Sequence, residues 1–386
     1  MVQREDFYDI TEKTLEEYYS AVYNKSISIK VDSPSTKSKI LVYPKINAIT
    51  SRFPGNKVIA YLYNEFNIRN NYLKFFMAKI YVTLCMYTGG LFADKSIKCS
   101  NYSVFNRNIL IRPENRKKRI YDFENCIVDA IAKYSFTKKY FKNEISFRLN
   151  YGYHFILPII ESGDNWYREK ILPGQPLARI KNIKLYNKCI NQTVLFIKQI
   201  AEETLQFVDS KEYSINLFNN ISNKLLVARE TKKLKYFDII TEIAQIALRK
   251  ALLLNAPLPI VESHGDLQSG NVWVDKEAEK TYIIDWETHA KRSVWYDCAT
   301  IFLSIRRSNK IKEMTENCDS DSVKKAVLAN DPRKDYDMQA VMGIIILEDI
   351  MFYLEDMLEL PRDFGGDIFD RITLEMDKTG WRNVSE

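Results

Sequence analysis

Short runs of alternating or continuous apolar residues occupy the middle of the first half of the chain, while the second half repeats apolar residues at helical spacing. Segments 108–112, 120–123, 127–136, 154–159 and 166–172 read as strands, the last stopped by Pro173-Gly174, and 137–150 reads as a helix. Downstream, 180–207, 234–254, 294–305 and 338–360 carry helical periodicity. Two more short strands, 271–275 and 281–285, flank the charged turn 276–280 and predict a β-hairpin. The pattern divides the chain into a small antiparallel-sheet lobe at 103–173 and a larger, mainly helical lobe at 174–386, an α+β arrangement. Residues 1–102 form an N-terminal extension, with Pro34, Pro44 and Pro54 marking loops and 68–87 reading as an aromatic-rich helix.

The hairpin carries the candidate chemistry. A symmetric turn pairs Asn271 with Asp285, Trp273 with Ile283 and Asp275 with Thr281, which sets an amide oxygen and a carboxylate side by side with Cα atoms about 5 Å apart. Mg²⁺ takes hard oxygen ligands at about 2.0–2.1 Å and fills the rest of its shell with water and phosphate, so two protein ligands suffice. Asp266 precedes Asn271 in a loop loosened by Gly265 and Gly270, where it could face an acceptor hydroxyl.

The residues His264-Gly265-Asp266, then Asn271, then Ile284-Asp285-Trp286-Glu287 form a His-x-Asp-x-x-x-x-Asn…Ile-Asp-Trp-Glu pattern. This resembles the aminoglycoside phosphotransferase and choline kinase family, which has the two-lobed protein-kinase-like fold. The resemblance implies ATP and Mg²⁺, with Asp266 as catalytic base and Asn271 and Asp285 as metal ligands. It also implies that His264 supports the loop and that Asp297 braces the catalytic segment. A small-lobe lysine held by a helix glutamate is required on this model, and Lys133 with Glu144 is the candidate pair. Glu169 to Ile171, at the end of the last small-lobe strand, would offer backbone groups to the adenine.

One departure from the pattern stands out. No glycine occurs between Gly90 and Gly152, so the small lobe lacks a Gly-rich phosphate loop. Its place is taken by Pro113-Glu114-Asn115-Arg116-Lys117-Lys118-Arg119, which reads as a solvated hairpin tip.

Composition narrows the function classes. The chain has 386 residues, 46% of them hydrophobic, enough for a large core, and a net charge of +6. Residues 337–386 hold 12 acids and 4 bases, so an acidic block closes a basic protein. By the same resemblance, late helices line the acceptor pocket, and Glu287, Glu348, Asp349, Glu355 and Asp356 are candidates to receive a cationic acceptor. Trp286, Trp295 and Trp381 are possible aromatic cage members. Six cysteines without a Cys-x-x-Cys pair and only three histidines argue against a zinc site and fit reduced, cytoplasmic thiols. The charged N-terminus has no apolar signal core. The run 72–92 is interrupted by Lys74 and Lys79, and a packed helix is preferred there over an interfacial membrane contact. The expected partners are a nucleotide and a small-molecule acceptor (an aminoglycoside, choline-like or sugar hydroxyl), with no nucleic acid. The competing reading is an inactive nucleotide-binding scaffold that uses the extension as its partner surface.

Overall fold

The computed structural model describes residues 6–65, 72–303, 317–331, 333, 335–360 and 365–378. Two compact units emerge, one of Met1–Ile183 with Asp275–Glu279, the other of Lys184–Val274 and Lys280–Glu386.

The first unit is built on one antiparallel sheet of nine strands: β1 (Ile29–Asp32), β2 (Ile40–Tyr43), β3 (Ala48–Ser51), β4 (Lys95–Cys99), β5 (Ile109–Pro113), β6 (Lys117–Asp122), β7 (Ile127–Ala132), β8 (Glu161–Ser162) and β9 (Trp166–Lys170). Their order is β1-β4-β2-β3-β5-β6-β7-β9-β8. The sheet is therefore continuous from the extension into the predicted small lobe, joined where Ile49 of β3 pairs with Ile111 of β5.

Period-two alternation gives this sheet two apolar faces. Ile111, Ile120 and Ile131 share one face with Ile40, Val42, Ile49 and Ile97, and helix α1 (Phe7–Tyr23) covers it with Phe7, Leu15, Tyr18 and Tyr19. A polar clamp fixes α1: Asp129 of β7 accepts from Tyr18 and from both arms of Arg168, at 2.8 and 2.9 Å. The opposite face buries Leu41, Tyr43 and Leu110 under helices α2 (Asn56–Glu65) and α3 (Tyr72–Tyr87). Farther along that face, Ala130, Ala132 and Tyr167 pack against Phe141 of α4 (Lys139–Asn150).

Three expectations change here. Segment 154–159 is irregular backbone and turn rather than strand. The Leu157 carbonyl is taken by the Arg148 guanidinium at 2.6 and 3.1 Å, and Tyr151, Tyr153 and Phe155 stack ring on ring, so side chains replace a ladder. Second, the charged tip shrinks to Glu114–Arg116, because β6 begins at Lys117 and Glu114 N–H donates to Lys117 O at 2.8 Å. Lys117, Lys118 and Arg119 are buried rather than solvated. Third, the predicted helix 68–87 is α3 from Tyr72 onward, with 68–71 outside the described residues.

The first unit also holds β10 (Gln175–Pro176). The second unit contains α5 (Ile183–Thr204, from its second residue), β11 (Gln206–Val208), α6 (Ser210–Lys232), α7 (Phe237–Ala251), β12 (Leu258–Ser263), β13 (Val272–Asp275), β14 (Lys280–Ile283), β15 (Ala290–Ser293), α8 (Asp321–Val327), α9 (Met338–Glu359) and α10 (Gly366–Lys378). Strands β11, β12 and β15 form a three-stranded antiparallel sheet. Helix α6 is unanticipated, although its start is marked: Asp209 caps it by accepting from Glu212 N–H at 2.7 Å.

Helix α9 is the core of this unit. Nearly every residue from Met338 to Ile350 is buried, as expected of a helix that is apolar all round. It lies so close to α7 that a Cβ on Gly343 would stand 2.5 Å from Ala247 O and 2.6 Å from Ala251 N. The predicted helix 294–305 is a single turn, Tyr296–Cys298, running into a π-helical stretch, Ala299–Leu303, with 304 and 305 outside the described residues. The α+β class read from the sequence is the class observed, antiparallel sheet in the first unit and mainly helix in the second.

Candidate active site

The loop between β12 and β13 is pinned from beneath by one carboxylate. Asp297 Oδ2 accepts from His264 N–H at 2.7 Å and Oδ1 from Gly265 N–H at 3.1 Å. A second tie comes from Thr288, whose hydroxyl donates to His264 O at 3.1 Å. Gly265 has φ +82°, and a Cβ there would lie 2.4 Å from both Thr288 O and Arg292 Nη1, so glycine is required by conformation and by space.

His264 is buried and its protonation follows from its partners. Nδ1 accepts from Asp266 N–H at 3.2 Å, which leaves Nε2 as the donor to Ile284 O at 2.9 Å. The ring packs against Trp286, centroids 4.6 Å apart. One neutral imidazole thus links the start of the loop to the residue before Asp285.

Asp266 is half-buried. Gln268 Nε2 donates to its Oδ1 at 2.6 Å, and Asn271 Nδ2 donates to its main-chain oxygen at 2.8 Å and to its Oδ2 at 3.2 Å. A main-chain carbonyl can only accept, so this bond fixes the Asn271 amide and turns Oδ1 away from Asp266. Gln268 has no place in the motif, and sequence reasoning passed over it. Its signal was only its position two residues after the aspartate.

The hairpin register differs from the symmetric expectation by one residue. Ile284 N–H donates to Asn271 O at 3.0 Å, so Asn271 stands opposite Ile284 and not Asp285. The turn closes in the four residues 276–279 because Glu279 adopts φ +49°. Asp285 then leaves the strand with φ +71° and ψ +53° and begins the short helix Trp286–Thr288. A left-handed aspartate is a strained conformation of the kind that clusters at functional sites. It follows one residue after the Ile284–Asn271 pair.

The first unit holds a buried ionic network on the α4 face of its sheet. Lys117 Nζ meets Glu144 Oε2 at 2.8 Å, and both side chains are almost wholly excluded from solvent, at 2% and 1%. Glu144 also faces Arg148 at 3.4 Å, Arg148 pairs with Glu169 at 2.6 Å, and Glu169 pairs with Arg119 at 2.7 Å. The guanidinium of Arg119 reaches Glu114 as well, at 2.9 Å. Lys117 stands directly opposite Ala132 and Arg119 opposite Ala130, so the two cations of β6 fill the room left by two small residues of β7. Lys133, the lysine singled out in the sequence, donates to Asn115 O at 2.9 Å and lies over the Phe136 ring, 5.1 Å from its centroid. Glu169 holds its side chain in this network, and Ile171 N–H is bound to Cys126 O at 3.0 Å, so a backbone contact from Ile171 to a base would fall to its carbonyl.

Two acidic candidates on α9, Glu348 and Asp349, are buried, whereas Glu355 and Asp356 are half-buried. Glu348 accepts from Ser293 N–H, Ser293 Oγ and Tyr213 OH at 2.6, 2.7 and 2.7 Å, and burial pushes its carboxyl above the ordinary value against those donors. Asp349 is buried and accepts from Tyr296 OH at 3.1 Å. Glu355 pairs with Lys224 at 3.5 Å. Glu287 is buried on the helix after Asp285. Of the aromatic candidates, Trp286 and Trp295 are core residues, Trp295 donating to Asp331 at 2.7 Å, and Trp381 lies outside the described residues.

Comparison with known proteins bears on the same segment. Residues 190–316 match the phosphotransferase enzyme family. The match spans about a third of the chain and contains the whole stretch from His264 to Asp297 that carried the resemblance. No curated protein matches the sequence. Among solved structures, an ethanolamine kinase of Plasmodium vivax is similar at 16% identity, covering 85% of this chain and 95% of that one, with a TM-score of 0.47. A choline/ethanolamine kinase family protein from Mesorhizobium loti is similar at 13% identity, covering 72% and 88%, with a TM-score of 0.45. An aminoglycoside phosphotransferase from Streptomyces rimosus follows at 11% identity, 64% and 93% coverage and a TM-score of 0.40. No described helix is long and apolar enough to cross a membrane.

Proposed function

We propose that the protein is a small-molecule kinase that moves the γ-phosphoryl group of ATP, with Mg²⁺, to a hydroxyl of a small acceptor. The observation that carries this reading is the Asp266 carboxylate, held at both oxygens by Gln268 and Asn271 in a loop that Asp297 pins by its backbone. A carboxylate so fixed can orient an acceptor hydroxyl and accept its proton as the bond to phosphorus forms.

The donor set fits a hard cation. The Asn271 amide presents Oδ1, and Asp285 is held in a left-handed turn one residue past the Ile284–Asn271 bond. These two residues would hold Mg²⁺, which when bound offsets charge on the transferring phosphoryl group. His264 acts through others: its neutral ring ties Asp266 N–H to Ile284 O and so sets the spacing of the two aspartates. Most of the rate gain would come from this positioning and from charge complementarity, since phosphoryl transfer needs little proton chemistry.

For the cation that meets the nucleotide phosphates, we place Lys117 ahead of Lys133. The Lys117 ammonium is paired with the α4 glutamate, Glu144, at 2.8 Å. It also stands on the strand after the charged turn that replaces a Gly-rich loop. The family match supports the class of reaction, and choline, ethanolamine and aminoglycosides are the acceptors to test first.

The test is ATP consumption with Mg²⁺ across a panel of aminoglycosides, choline, ethanolamine and simple sugars, with Asp266→Asn as control. Stimulation by one acceptor that vanishes in the variant supports the assignment. Acceptor-stimulated turnover that survives Asp266→Asn removes Asp266 from its role.

A further inference from the structure

Helix α3 is apolar on both sides, yet only one side is covered. Val82, Cys85 and Met86 are buried in the core shared with α2 and strands β2, β3 and β5. Leu73, Phe76, Met77, Ile80, Leu84 and Tyr87 recur every three or four residues along the other side, which makes them one stripe. All six are exposed, Leu73 at 72% and Phe76 at 61%. The patch runs on past the helix, where Leu91 is 76% exposed and the exposed ring of Phe53 comes within 3.4 Å of the Cβ position of Gly89. A contiguous exposed patch of this kind marks a binding surface.

Charge indicates what covers it. The helix sequence Tyr72–Tyr87 contains Lys74 and Lys79 and no acidic residue, and residues 66–98 hold five Lys and Arg, of which Lys98 pairs with Asp32 at 2.6 Å, against the single acid Asp94. Asp94 is itself engaged with Tyr8. Packing of two α3 helices against each other would set two helices of net positive charge side by side with no carboxylate on either to answer them. A negatively charged lipid surface supplies both what the stripe lacks, an apolar layer and anionic headgroups at its rim. At 16 residues α3 is short for a bilayer span, so it would lie along the surface rather than cross it. We propose that α3 docks the protein, apolar stripe first, on an anionic lipid surface. This proposal does not depend on the kinase reading.

The experiment is flotation of the full chain with vesicles of phosphatidylcholine, either pure or containing about a third phosphatidylglycerol. Two variants accompany it, Phe76→Ser with Met77→Ser, and Lys74→Glu with Lys79→Glu; thermal melts verify that each remains folded. The proposal expects flotation with the anionic vesicles, weaker flotation with the neutral ones, and a loss of about tenfold or more in bound fraction for either double variant. Absence of flotation with anionic vesicles overturns it, as does equal flotation with both compositions. It is also overturned if the wild-type chain sediments as a dimer that Phe76→Ser with Met77→Ser dissociates while no vesicle binding is seen, which would assign the stripe to a second copy.

Discussion

Replacing Asp297 by Asn tests the support of the candidate catalytic loop with little change in volume. In the native chain the two carboxylate oxygens accept one N–H each, from His264 at 2.7 Å and Gly265 at 3.1 Å. An asparagine offers one oxygen and one NH₂ group, so one of the two backbone donors would face another donor. Hydrogen bonds to a charged group contribute about 1.5–3 kcal/mol, and a buried donor left unmatched costs about 1–3 kcal/mol. With relaxation, a net loss of about 2–4 kcal/mol is expected for Asp297→Asn. At about 2–4 °C per kcal/mol, the melting temperature should fall by roughly 4–16 °C. The loop carries Asp266 and Asn271, so acceptor-dependent turnover should fall further than stability alone explains, by about a hundredfold at a temperature where the variant is folded. Differential scanning calorimetry and a phosphotransfer assay read the two effects separately. A variant that melts within a degree of the wild type would refute the claim that this carboxylate holds the loop. Full turnover in a destabilised variant would refute the link from loop to chemistry.

Three other outcomes follow from the geometry. Lys117→Met strips Glu144 of its 2.8 Å partner, so a loss of about 3 kcal/mol is expected in urea unfolding; the ATP KM should rise more than in Lys133→Met, and the reverse order would return the phosphate role to Lys133. Gly343→Ala drives a methyl group into the backbone of α7, within 2.5 Å of Ala247 O, and should cost about 1–3 kcal/mol in the same assay, whereas a neutral result would mean that α7 and α9 can separate freely. Burial raises the Glu348 carboxyl above its ordinary value of 4.5, so between that value and the raised one the folded chain holds a proton that the unfolded chain has released. Stability should therefore fall as pH rises through that window, and Glu348→Gln should flatten the slope of a melting-temperature titration; a slope unchanged in the variant would assign it to another group.

Local chemistry determined a good deal by itself. The spacing of His264, Asp266, Asn271 and Asp285, the strands β7 and β9, and the helices α5, α7 and α9 were legible because each depends on periodicity or on residues close in sequence. Tertiary structure decided what depends on distant partners. The hairpin slipped by one residue because Glu279 adopts a left-handed conformation that the residue type does not announce. Lys117, Lys118 and Arg119 looked like a solvated charge run, yet alternation on β6 sends Lys117 and Arg119 to one face, where Glu144 and Glu169 await them, and Lys118 to the other, where it meets Thr11 at 2.9 Å. Those partners come from α4, β9 and α1, up to 107 residues away. Glu348 read as a candidate for an acidic pocket, and its burial beside Ser293 and Tyr213 was invisible because a helix sequence states which residues share a face but not which face the core will cover. The exposed stripe of α3 was hidden for the same reason: its sequence is apolar all round, and only the packed sheet, covering Val82, Cys85 and Met86, left the other half of the helix uncovered.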